Sequence, residues 1–369
     1  MILTKEEIKV KKHRALKIVL RCVGLLLAIV IVFVGGFIIF AGATTLKVKD
    51  SEAVEISGNG KTDLSVNEPI NILTWNIGYG ALDERQDCYW DGGKGVDGES
   101  KEVVQENIDA IRNTVKELDP DIFLIQEADT SSKRSYRIDE LASFKETFKE
   151  RKYACTFAKN FKAGFVPLPL YNPTGKVEAG IAVFSKFQVS EAQRIQLPIP
   201  FSWPMSMFNL KRCLLVNRLP VKDNGKELVL INLHLEAYDD GEGKAKQLKM
   251  LVDIMQKEYE KGNYVIAGGD FNQTFSTLNY QKYPKMNDWV CPVIDASEYP
   301  DFSFIMDDTV PTCRSLYKPY YNSDKSNHQY YMIDGFIVSR NITVNSLSTL
   351  DYGFKNTDHN PVSMSATLN

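Results

Sequence analysis

The sequence predicts an α/β (α+β) fold in which β-sheets pack face to face with helices outside them, preceded by a single apolar segment. Three observations predict it. Short apolar runs that alternate like strands recur between residues 70 and 339, each ending in polar residues. Two longer segments among them repeat their apolar residues at helical spacing, and strands mixed with a few helices are the material of packed layers. An uncharged stretch, residues 22–43, stands ahead of both. The chain's 369 residues, 44% hydrophobic and 25% charged, suit one large domain with an appendage.

The appendage comes first. Residues 22–43 read CVGLLLAIVIVFVGGFIIFAGA and carry no charge. At about 1.5 Å per residue they would cross a hydrocarbon core of about 30 Å as one transmembrane helix. Lys5, Lys9, Lys11, Lys12, Arg14, Lys17 and Arg21 precede it, against only Glu6 and Glu7. The positive-inside rule therefore puts residues 1–21 in the cytoplasm as a basic tail and the rest outside. The competing reading is a cleaved signal peptide, because AGA at 41–43 fits a small-residue cleavage site, although the apolar core of a signal usually runs about 7–15 residues. Residues 44–69, largely polar and containing Gly and Ser without a sustained period, read as a linker, and the domain occupies 70–369.

Within the domain the elements come in order. INILTWNI (70–77), DIFLIQE (121–127), GIAVFS (180–185), ELVLINLHL (227–235), YVIAGGDFN (264–272) and IDGFIVS (333–339) read as strands. Between the first two, residues 101–120 set Val104, Ile108, Ile111, Val115 and Leu118 on one helical face, and Pro120 ends the helix. A second helix, about 244–259, carries Leu248, Leu251, Val252 and Met255 on one side.

Charge and cysteine usage narrow the function classes. Nine of the 44 basic residues and three of the 47 acidic ones precede residue 51, leaving 35 against 44 and a balance of −9. That balance argues against coating long nucleic acid by phosphate neutralisation, but not against a nuclease, whose own carboxylates add negative charge. Cys88, Cys155, Cys213, Cys291 and Cys313 are widely spaced and form no CxxC, so no zinc framework is predicted and no disulfide is assigned.

Chemistry-bearing residues gather at the strand ends. Asn76, Glu127, His234, Asp270 with Asn272, and Asp358 with His359 each stand at or just past the end of an apolar run. Taken singly, each has an ordinary reading: a turn cap at Asn76, a surface position for Glu127, an Asx turn in GGDFN. Taken together they are candidates for one cleft, because strands lying side by side bring their ends together.

The motifs LTWNI, IQE, NLHL, GGDFN, IDGF and TDHNPV occur in the order, and with roughly the spacing, of the endonuclease/exonuclease/phosphatase (DNase I-like) superfamily. The chain resembles a membrane-anchored, bacterial-type member, over about residues 70–367. The resemblance implies a four-layer sandwich of two packed mixed β-sheets flanked by helices. It also implies a divalent metal, Mg2+ or alternatively Mn2+, and hydrolysis of a phosphoester bond. Asn76, Glu127 and Asp358 would form the metal side, as hard oxygen donors suited to Mg2+. Asp270 resembles the residue that orients or deprotonates the attacking water, and Asn272 the one that holds a phosphate oxygen. His359 would face the scissile phosphate while Asp334 fixes its other ring nitrogen. His234 resembles the second histidine of the DNase I and sphingomyelinase branches, and would bind phosphate or protonate the leaving group.

The expected activity is a membrane-anchored, metal-dependent phosphodiesterase whose active site lies outside the cytoplasm, acting on nucleic acid, a phospholipid or a small phosphodiester. A sphingomyelinase-like phospholipid hydrolase and a catalytically silent binding ectodomain are the alternatives. No segment demands an obligate protein partner. Two Pro-rich apolar stretches, 165–180 and 197–212, are expected to form loops beside the cleft. Phe201, Trp203, Met205 and Phe208 would either dip into lipid or pack onto the sandwich, and Lys211 and Arg212 would meet a substrate phosphate or solvent. His328, in the polar stretch SDKSNHQYY, is expected to be solvated.

Overall fold

The computed structural model describes residues 4–239, 241–279, 282–283, 285–286, 289–321 and 324–369. The chain forms two compact units, residues 1–45 and 46–369.

The first unit is one helix, Lys5–Thr44. A capping box begins it: the Thr4 hydroxyl accepts from the Glu7 N–H, and the Glu7 carboxylate accepts from the Thr4 N–H. The helix is long and apolar enough to cross a membrane, a property that signal sequences share. It starts well ahead of the apolar run, so the basic residues from Lys5 to Arg21 are helical as well.

The second unit is built on two seven-stranded mixed sheets packed face to face. One sheet runs in the order Ile342–Thr349, Val362–Leu368, Pro69–Asn76, Ile122–Asp129, Gly175–Ser185, Ala154–Val166, Ile56–Gly58. The other runs Ser51–Ala53, Glu191–Gln196, Cys213–Pro220, Glu227–His234, Tyr264–Asp270, Asp334–Ser339, Phe302–Ile305. Each contains a parallel pair near its centre, Pro69–Asn76 with Ile122–Asp129 and Glu227–His234 with Tyr264–Asp270. A parallel pair needs a long crossover, and each receives a helix, Lys101–Leu118 and Glu242–Glu260 respectively.

Apolar residues facing inward from both sheets, among them Ile72, Leu124, Leu230 and Ile266, make the central core. The crossover helices cover the outer faces. Ile108, Ile111 and Val115 pack on Leu73 and Phe123, and Leu251 and Met255 pack on Val229 and Val265. Four layers result, as the resemblance implies. Each fully buried aliphatic side chain contributes roughly 1.5–3 kcal/mol, so the sandwich is held mainly by this packing. The cysteines agree with it: all six are free, and Cys88, Cys155, Cys213 and Cys313 are buried.

Two expectations need correction. The 44–69 linker is partly built into the domain, since Ser51–Ala53 pairs with Glu191–Gln196 and Ile56–Gly58 with Ala154–Val166. His328 is buried, not solvated, stacked on Tyr317 at 5.9 Å between ring centroids and edge-on to Tyr320 at 4.9 Å. Burial lowers its pKa to about 4. Its sequence neighbours are polar, but the rings that enclose it come from a segment eight to eleven residues earlier.

Candidate active site

Strand register sets the expected residues side by side. In the second sheet His234 is the parallel partner of Asp270, and Asp270 is the antiparallel partner of Asp334. Three adjacent strand ends therefore present His, Asp and Asp in one row. In the first sheet Asn76 ends its strand opposite Gln126. Glu127 follows in a bulge, where pairing with Gly175–Ser185 skips from Ile125 to Ala128. Its φ of +58° is a left-handed conformation that costs a non-glycine residue about 1–3 kcal/mol, a pattern typical of functional positions. Asn76 Nδ2 donates to the Glu127 carboxylate across 3.2 Å.

The backbone beneath is shaped for close approach. Gly269 has φ +145°, and a Cβ there would lie 2.0 Å from the Leu233 carbonyl oxygen, so glycine lets the strands close under Asp270 and His234. An amide seam ties the two sheets together at the same level. Gln126 Nε2 donates to Asn232 Oδ1 at 2.7 Å and to Thr74 Oγ1 at 3.1 Å. Asn232 Nδ2 donates to the carbonyls of Ile125 at 3.0 Å and Ala182 at 2.8 Å. Both amides are fully buried. Sequence reasoning gave neither a role, although they stand inside IQE and NLHL.

Asp270 Oδ2 is the hub. It accepts from Asn76 Nδ2 at 3.1 Å and lies 3.3 Å from His234 Nε2 and 3.9 Å from His359 Nε2. Its other oxygen accepts the Asn272 backbone N–H at 2.8 Å, and Asn272 Nδ2 donates to the Leu235 carbonyl. His359 Nδ1 is 2.8 Å from Asp334 Oδ2, and the His359 carbonyl accepts from Trp75 Nε1. Asp358 Oδ2 is 3.9 Å from His359 Nε2. Six of the eight expected residues line one cavity of about 510 Å³. Asn76 and Asp334 stand behind it, steadying Glu127, Asp270 and His359.

The surroundings drive the two histidines apart. Burial opposes charge on His359, yet the Asp334 and Asp358 carboxylates hold its pKa well above the usual value. Burial, aided by the positive Arg212 and His359, holds His234 well below it. Protonation is thus favoured on the His359 ring and disfavoured on the His234 ring. Burial and then the Asp334 charge raise Asp270; burial and then the Asp358 charge raise Glu127.

That last pair tests the fit of a metal. Glu127 and Asp358 are acids crowded into the cavity wall, a hard-oxygen pair whose repulsion a divalent cation would relieve, while Asn76 turns its Nδ2 toward Glu127. The Asn76 oxygen already accepts the Gly78 N–H at 3.1 Å, which leaves it one lone pair. Two tighter clusters, Asp270 with Asp334 and His359, and Cys313 with Asp358 and His359, suit Mg2+ less. Imidazole and thiol are softer donors than the oxygens Mg2+ prefers, and burial pushes the Cys313 thiol up to about 12.

Two arginines of the cavity escaped the sequence reading as anchored groups. Arg134 gives Nε and Nη2 to Asp129 at 3.1 and 2.9 Å and lies 3.5 Å above the Tyr79 ring centroid. Arg212 is 3% exposed and 3.6 Å from Glu236, whereas the adjacent Lys211 turns to the Leu46 carbonyl. The Pro-rich stretches flank the cleft, with Val166, Phe208 and Leu210 lining it, but residues 165–166 and 175–180 are strand and not loop.

A model of the endonuclease/exonuclease/phosphatase family matches residues 73–354. Solved structures share the fold at low identity. An endonuclease/exonuclease/phosphatase from Beutenbergia cavernae DSM 12333 gives a TM-score of 0.54 at 16% identity, over 82% of this chain and 72% of that one. D. rerio TDP2 complexed with a single-strand DNA product gives 0.51 at 14%, over 82% and 100%. A family protein from Leptotrichia buccalis C-1013-b gives 0.51 at 14%, over 80% and 98%. No curated protein matches the chain.

Proposed function

The chain belongs to the endonuclease/exonuclease/phosphatase family, and from that premise we propose that it is a divalent-metal-dependent phosphodiesterase. Residues 22–43 anchor it, 1–21 stay in the cytoplasm, and the unit from Leu46 to Asn369 works outside. The observation that carries the reading is a single carboxylate, Asp270, whose Oδ2 lies 3.3 Å from His234 Nε2 and 3.9 Å from His359 Nε2 in the wall of a cavity.

Glu127, Asp358 and Asn76 would hold the metal, which when bound draws charge from the phosphoryl oxygens. Asp270 orients a water for in-line attack and takes its proton, helped by an environment that raises its proton affinity toward that of a base working near neutrality. His359 aims its Nε2–H at charge growing on the phosphate, with Asp334 fixing tautomer and ring plane. His234, being neutral with Nε2 toward Asp270, serves to orient that carboxylate; protonating the leaving group falls better to His359. Asn272 is held by Leu235 with its second amide hydrogen left for a phosphate oxygen.

The test is turnover of plasmid DNA, RNA, bis(p-nitrophenyl) phosphate and phospholipid vesicles with Mg2+ or with EDTA. Metal-dependent hydrolysis lost in His359→Ala is the expected result. Equal rates in EDTA, or in the variant, would remove the reading.

A further inference from the structure

Two segments border the cavity, the end of the strand Ala154–Val166 with the loop after it to residue 174, and the loop at 197–210, and both turn apolar side chains outward. Leu170 is 84% exposed, Tyr171 and Trp203 66% each, and Met205 50%. The inner residues of the same loops, Val166, Thr174, Phe208 and Leu210, line the cavity wall. Apolar groups clustered at the rim of a site mark a surface that a second apolar phase covers.

The path of the chain says which phase that is. Leu46 opens the second unit, and its N–H donates to the Lys162 carbonyl at 2.9 Å while its carbonyl accepts from Lys211 Nζ. Lys162 lies three residues before Phe165, and Lys211 directly follows Leu210. The roots of both loops are thus fastened to the residue that stands two positions after Thr44, the end of the apolar helix. Two residues of chain reach at most about 7 Å. A short tether therefore joins these roots to whatever bilayer the apolar segment enters. Charge agrees: Lys47 follows Leu46 directly, and Lys162 and Lys211 stand at the roots themselves, cations that suit anionic headgroups.

We propose that the two loops insert into the membrane that holds the N-terminal helix, and that the substrate is a phospholipid of that membrane whose phosphoester head enters the cavity between them. The proposal rests on the phosphodiesterase and anchor readings above. A cavity of about 510 Å³ with apolar walls and a polar floor accommodates a head group and the first part of its tails.

The experiment uses the full chain reconstituted in vesicles of phosphatidylcholine and phosphatidylglycerol, with and without brominated acyl chains. Brominated chains should quench the tryptophan fluorescence, and Trp203→Gln should remove most of that quenching. Leu170→Asp combined with Trp203→Gln should slow release of water-soluble phosphate esters from the vesicles by roughly tenfold or more, from the lost burial of two large side chains. Hydrolysis of bis(p-nitrophenyl) phosphate should be unchanged, because neither residue lines the cavity. Unquenched wild type, or equal losses on both substrates, overturns the proposal, as does a double variant as fast as wild type on vesicles. If wild type turns over neither substrate, the phosphodiesterase reading and the lipid substrate fall together, and the quenching still decides docking.

Discussion

His359 is held at two points, its imidazole by the Asp334 carboxylate at Nδ1 and its backbone carbonyl by Trp75 Nε1. Asp334→Asn keeps a hydrogen-bonding partner but removes the charge that sustains the cation. We expect kcat to fall about 10²-fold or more with KM little changed, measured on a soluble diester, while the circular dichroism stays that of wild type. His328 gives a stability prediction of opposite character. Its folded pKa, about 4, lies below the unfolded value of about 6.5, so the unfolded chain takes up the proton first. Stability contributed by the neutral ring is full above about pH 6.5 and is lost as pH falls toward 4. His328→Phe should therefore show a smaller drop in Tm between pH 7 and pH 4.5 than wild type, by scanning calorimetry. Residues of this kind divide sharply in legibility. His234 and Asp270 end apolar runs and could be read from their places, whereas His359 stands ahead of the strand Val362–Leu368, not at the end of one, and was legible only through its motif. Arg134 and His328 sit in polar runs, where nothing local signals the Tyr79 ring or the Tyr317 and Tyr320 rings that cover them.

Among the elements, the readable ones are those whose two faces differ or are both apolar. Ile122–Asp129 and Tyr264–Asp270 announce themselves. Ala154–Val166 does not, because Lys159, Asn160 and Lys162 break its pattern, and Ile342–Thr349 is an edge strand with few apolar residues. Cys213–Pro220 hides a buried Asn217 that bonds Thr156 of the opposite sheet. The bulge at Glu127 was equally invisible, since a left-handed glutamate leaves no mark in composition. The glycine pair in GGDFN was visible but its purpose was not. Gly269→Ala should destabilise by about 1–3 kcal/mol from backbone strain alone, and by more from the contact with the Leu233 carbonyl. Urea denaturation would report this, and activity should fall further than stability because Asp270 follows directly. A midpoint unchanged from wild type would mean the strands can part there at no cost.

For the whole molecule, the layered architecture follows from the parallel pair in each sheet, which demands a crossover helix on each outer face. The amide seam adds something that packing does not. Two apolar sheet faces can dock in several offsets at similar energy, and a shift of one rung would carry His234 and Asp270 away from Asn76 and Glu127. Gln126 and Asn232 meet in the native offset alone. In any other, Asn232 loses Gln126 and the Ile125 and Ala182 carbonyls while Gln126 keeps only Thr74 of its own sheet, at about 1–3 kcal/mol for each stranded group. Replacing both by leucine should leave stability within about 1–2 kcal/mol of wild type, as paired apolar replacements often do, yet lower the active fraction of refolded protein. Titration of active sites after refolding would measure that fraction, and an undiminished value would show that side-chain packing alone selects the offset. The seam then acts during folding as an error check: assemblies that would be compact but inert are rejected before the catalytic residues ever meet.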